Sequence, residues 1–126
     1  MGGGLVMEIA DAYKILVDRG VPTEDVVRHG SIAYERGTLA AIRQVAPQVQ
    51  VFALPGEGYL VQGPGGVTRV RKITRLLGVV AAVAGGDYAG VVTALAEAAE
   101  REILRELEAR IRIYGGGDDG TVDERD

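Results

Sequence analysis

The stretch VQGPGGVTRVRK, residues 61–72, decides how the second half of this 126-residue chain is read. Glycine and proline occupy residues 63–66, and three cations, Arg69, Arg71 and Lys72, follow within four positions. Gly and Pro punctuate regular structure. The apolar pattern beyond them predicts a helix from Val67 to about Ala84, capped by Thr68 or Gly66. On that reading the cations lie in the first helical turn, where each opposes the positive end of the macrodipole at a cost of about 0.3–1 kcal/mol. The second helix does the opposite and carries Glu24 and Asp25 at its start.

A bound anion would remove the conflict. Unpaired backbone N–H groups, a close glycine approach and several cations are what a phosphate requires. The expected phosphate or nucleic-acid site is therefore Gly65, Gly66, Thr68, Arg69, Arg71, Lys72 and, one turn on, Arg75. Residues 58–86 hold these four cations and no acid, and Arg outnumbers Lys 12 to 2 over the chain, which suits bidentate phosphate contacts. The motif is neither a Walker loop nor the glycine fingerprint of a dinucleotide fold.

Working outward, Leu5, Ile9, Ala12 and Leu16 recur at helical spacing and predict a first helix over residues 5–19, stopped by Gly20 and Pro22. Thr23 is the expected N-cap of a second helix, broken near Gly30 with Ser31 capping its continuation. Between Pro47 and Gly66 the period falls to two, predicting a β-hairpin at about 48–62 with its turn near Gly56. Two strands alone are marginal in water, so the hairpin must pack on the helices or pair with another chain through its edge. Asp87 is the expected cap of a last helix reaching Tyr114, with Val92, Leu95, Ala99, Ile103, Leu107 and Ile111 in one stripe. Glu97–Arg101, Glu106–Arg110 and Glu108–Arg112 are i,i+4 pairs on its solvated face. The expected class is mainly α (α+β): four or five helices with a small β-hairpin inserted between N-terminal and C-terminal helical pairs. Residues 1–114 form one domain, and residues 115–126 an acidic tail expected to be disordered.

Composition narrows the function. The net charge of −4 belongs to the tail, because residues 1–117 balance 13 acids against 13 bases. Cysteine is absent, which excludes disulfides and thiolate chemistry and leans toward a cytoplasmic protein. The N-terminus has no secretory pattern. Residues 76–96 form an apolar run, but Gly85, Gly86 and Asp87 sit at its centre, and two packed helices explain it better than a membrane span. Abundant Arg with no Asn or Cys is a thermophile-like composition.

Ser31 and His29 are the only residues of their types, and two positions apart on a helix they do not face each other, so no catalytic residue is expected. No metal site and no cofactor are expected either: zinc wants several His or Cys, and the tail lacks calcium-loop spacing. Glu57, between two glycines, reads as an exposed turn residue. A chain neutral outside its tail is a poor lone nucleic-acid binder, but a subunit adding a few phosphate contacts within an assembly needs less charge. The expected function is a non-catalytic assembly subunit, a homo- or hetero-oligomer touching an RNA or DNA backbone. The alternative is a structural or regulatory protein-interaction module, using small residues at Gly30, Ala33, Gly37 and Ala40 or the hairpin edge. An enzyme acting on a phosphorylated small molecule comes third. In plan the chain is loosely similar to small helical subunits of RNA-guided effector complexes and to coat proteins of helical nucleoproteins, a likeness of architecture rather than of motif.

Overall fold

A computed structural model describes residues 7–114. The elements are α1 (Ile9–Asp18), α2 (Thr23–Val45), β1 (Gln50–Leu54), β2 (Gly58–Gly63), β3 (Gly66–Val70), a 3-10 turn (Ile73–Arg75), α3 (Leu76–Ala84) and α4 (Tyr88–Tyr114). The fold is mainly helical with a β element between two helical pairs, as expected. That element is a three-stranded antiparallel sheet in the order β1-β2-β3, not a two-stranded hairpin. The predicted acidic tail and the first two residues of the predicted first helix lie outside the described residues.

Among the described residues the first helix begins at Ile9. The Glu8 N–H donates to Asp11 Oδ2 at 2.9 Å and so fixes the start. At the other end Gly20, with φ +83°, lets the Val21 N–H donate back to the Leu16 carbonyl at 3.1 Å.

The expected break near Gly30 does not occur: α2 runs unbroken for 23 residues. Ser31 is therefore mid-helix and caps nothing, and Thr23 is the first helical residue, preceded by Pro22 at the cap. Gly30 and Gly37 make room for neighbours. A Cβ on Gly30 would stand 2.5 Å from Tyr13 Oη, and one on Gly37 2.5 Å from the Ile103 backbone nitrogen. With Ala33 fully buried, this small-residue stripe is consumed inside the chain and is no partner surface; only Ala40 is half-exposed.

The predicted stripe of α4 is buried at Leu95, Ala99, Ile103, Leu107 and Ile111. Of its three expected pairs, Glu106–Arg110 forms at 2.9 Å, while the other two form no ion pair. The α2–α4 pair is the spine. On one side Ala12, Leu16 and Val26 complete a helical core, and on the other Tyr59, Val61, Val70, Leu76 and Val80 complete a core beneath the sheet. Each fully buried Leu or Val contributes about 1.5–3 kcal/mol.

The largest correction falls on residues 67–70, which form strand β3 and not the start of a helix. Pro64 and Gly65 make a two-residue turn, Gly63 faces Gly66, and the ladder continues to Tyr59 opposite Val70. Strand pairing satisfies the outer backbone groups of β2 and sends Val70 into the core, which a helix here would not do. The helix starts nine residues late, at Leu76, and Gly85 and Gly86, with φ of +82° and +85°, turn the chain into α4. No helix among the described residues is long and apolar enough to cross a membrane.

Candidate nucleic-acid interface

The glycine-rich turn already has a partner. The Gly65 N–H donates to the Val83 carbonyl at 2.8 Å, and a Cβ on Gly63 would stand 2.5 Å from the same oxygen. These glycines let the β2–β3 turn lie on the last turn of α3, so the amide expected to meet a phosphate is spent. Gly66, with φ +139°, faces open space.

The predicted cations are separated by their new setting. Arg69 lies on β3 opposite Leu60 and pairs with Glu57 at 3.2 Å, both side chains being exposed. Thr68 sits beside it on the opposite face, across from Val61. Arg71 lines a cavity with Glu35 and Tyr59, whereas Arg75 lines another with Thr74 and Tyr88. Lys72 is exposed between them. Among the described residues Arg71, Lys72 and Arg75 form no ion pair, with the acids of α4 or with any other.

The new strand creates a surface that sequence reading missed. Alternation sends Tyr59 and Val61 inward, so the other face of the sheet carries Phe52 opposite Leu60 opposite Arg69, and Gln50 opposite Gln62 opposite Val67. Phe52, the chain's one phenylalanine, is 46% exposed and Val67 61%. The helix α3 packs on the inner face of β2 and β3. At the β1 edge Phe52 and Gln50 share a cavity of about 320 Å³ with Arg43 and Leu39 of α2. The signal was in the period-two stretch, which already set Gln50 and Phe52 on one side and Val49 and Val51 on the other.

Charge follows this geometry. Residues 46–86, the sheet with its flanks and α3, hold four cations against Glu57 alone, a net of +3. The rest of the described chain holds 12 acids against 9 cations, a net of −3.

Below the β1–β2 turn, Tyr59 Oη donates to Glu35 Oε2 at 2.5 Å. Burial first, and then the hydrogen bond and charge of the Glu35 carboxylate, push the Tyr59 hydroxyl up to about 12. Arg71 lines this same cavity of about 350 Å³.

Elsewhere, His29 and Ser31 are not brought together. His29 Nε2 meets Tyr114 Oη at 2.7 Å, while Ser31 lines a groove with Tyr13 and Tyr34. Among the described residues no group of three or more His, Asp or Glu is placed to hold a metal ion. Comparison with descriptions of known families, with curated proteins and with solved structures finds no match.

Proposed function

We propose that the protein is a non-catalytic subunit of an assembly and contacts single-stranded nucleic acid through the open face of its sheet. The observation carrying this reading is the row of Phe52, Leu60 and Arg69 on the face opposite the buried Tyr59 and Val61, with Phe52 and Arg69 exposed and two glutamines beside them. An exposed aromatic ring on a sheet is a platform for an unpaired base, and a stacked base contributes about 1–3 kcal/mol. The amides of Gln50 and Gln62 suit base edges, and Arg69, Arg71 and Lys72 lie along the third strand and its exit to meet phosphates. Arg75, turned toward Tyr88, is a peripheral contact at most. A cytoplasmic setting belongs to the same proposal, since a chain without cysteine needs no oxidising compartment.

Fluorescence anisotropy with labelled single strands and duplexes tests it. With about three phosphates neutralised, single-strand affinity falls about 20-fold between 50 and 200 mM salt. Phe52→Ala weakens binding about 5- to 150-fold, the range of one stacked base, and duplexes bind less well than single strands. Equal binding by Phe52→Ala would refute the stacking surface.

The second reading, a protein-interaction module, is favoured by the β1 edge. This strand carries no charge and borders the Phe52 cavity, whereas the β3 edge carries Arg69. Uncharged edges invite another strand. Self-association measured by sedimentation, lost on Val51→Pro but kept in Phe52→Ala, supports that reading.

A further inference from the structure

A groove runs along one face of α2, from Val26 to Glu35, and is made of two cavities that meet at Ile73. The first, about 480 Å³, is apolar and flanked by Tyr13 and Tyr34; the second, about 350 Å³, contains Glu35, Tyr59 and Arg71 and opens at the β1–β2 turn. Both volumes lie within the usual range for small-ligand sites, about 300–1,000 Å³. Two features of the polar end point to a ligand. Tyr59 holds Glu35 by Oε2, leaving Oε1 with no hydrogen bond among the described residues. Arg71 lines the same cavity and forms no ion pair with Glu35 or with any other described acid. A carboxylate that only accepts and a guanidinium that only donates are thus held apart over one space, beside aromatic walls.

We infer that this groove takes a guanine nucleotide of a bound single strand. Guanine alone among the four bases presents two adjacent donors, N1–H and the N2 amino group, on its Watson–Crick edge, and the Glu35 carboxylate can accept one on Oε1 and the other on the second lone pair of Oε2. Adenine presents an acceptor at N1, and cytosine and uracil each set a single donor beside an acceptor. The Tyr34 ring borders the base, and Arg71 takes the adjoining phosphate. Phe52 lies three residues before the turn at which the groove opens, roughly 10 Å along β1 but on the opposite face of the sheet, so a strand that meets both passes round the β1–β2 turn. The inference rests on the single-strand reading and adds a base preference to it.

The test compares an oligoadenylate of about ten nucleotides with the same strand carrying one central guanine, with free GMP as a third probe, on the wild-type chain, Glu35→Gln and Arg71→Ala. Glu35→Gln keeps an acceptor for Tyr59 and so preserves the fold. Urea denaturation checks this. The expected result is a preference for the guanine strand of about tenfold or more, the scale of one well-made base contact. Glu35→Gln abolishes the preference without weakening oligoadenylate binding, and Arg71→Ala weakens both strands. Equal binding of the two strands by wild type, or a preference that survives Glu35→Gln, overturns the inference and leaves the stacking surface standing. Binding of GMP in a Glu35-dependent way without binding of either strand supports the guanine site and overturns the single-strand function. Binding of neither strands nor GMP overturns both.

Discussion

Replacing Gly37 by alanine tests the packing on which the whole arrangement depends. In an exposed helix that change is stabilising, because alanine exceeds glycine by about 1 kcal/mol in helix propensity. Here the added Cβ would stand 2.5 Å from the Ile103 nitrogen and 2.7 Å from its Cα. Non-bonded carbons prefer about 3.5–4.0 Å, and backbone atoms inside α4 have no rotamer to escape into. The helices must therefore move apart by about 1 Å, loosening the contacts of Ala33, Ala98 and Ala99 that their close approach allows. Overpacking costs about 1–3 kcal/mol, and collision with a rigid backbone puts this case at the upper end. After the propensity gain, a loss of about 2 kcal/mol remains. For a domain near 100 residues that lowers Tm by about 8 °C or more. The matched control is Gly78→Ala, whose Cβ would meet only Tyr88 Oη, at an ordinary 3.5 Å, and which stabilises by about 0.4–1 kcal/mol. Urea denaturation followed by far-UV circular dichroism reads both. A Gly37→Ala protein as stable as wild type would refute the geometry of the α2–α4 crossing, since propensity alone would then decide the outcome.

Tyr59 supplies a pH prediction: its hydroxyl is held protonated up to about 12 in the fold but ionises near 10 in the unfolded chain. The stability it contributes is complete below pH 10 and is lost as pH rises toward 12. Tyrosinate absorbance reads the late titration of Tyr59, and Glu35→Gln moves it partway down, because burial remains. Arg69→Ala changes stability by less than about 1 kcal/mol, since its ion pair with Glu57 is exposed on both sides, yet it weakens single-strand binding; a larger stability loss by thermal denaturation would contradict a solvent-screened pair.

Periodicity carried most of the fold. The α4 stripe is buried from Leu95 to Ile111 as its spacing requires, and in β1 Val51 is half-buried while Phe52 is exposed, although Ala53 on the side of Val51 is exposed too. Two departures from the sequence pattern share a cause, which is that local rules treat glycine as punctuation. At Gly30 the missing side chain admits Tyr13, and at Gly63 and Gly65 it admits the carbonyl end of α3. Both needs arise between segments distant in sequence, 17 residues in the first case, and no local rule reports them. Residues 67–70 were lost for a related reason. A five-residue strand, VTRV after its glycine, is too short for its period of two to stand out against the apolar run that follows.

The same error hid the candidate site. Once residues 67–70 are a strand, Arg69 no longer opposes a helix dipole and requires no anion to explain it; its neighbour Glu57 suffices. What then asks for explanation is the charge division, +3 around the sheet and −3 over the rest of the described chain. Three cations make a weak lone contact, because each neutralised phosphate adds only one step to the salt dependence. In the proposed assembly a row of such subunits along one strand would multiply that contact without further charge, since each bound copy raises the local concentration of the next site. On the proposed function the acidic remainder would disfavour nucleic acid away from the sheet and so help to fix which face a strand meets. On that proposal, modest affinity of one copy, steep dependence on strand length and a single productive orientation would all follow from one feature of the sequence, the placing of four cations and no acid between Gly58 and Gly86.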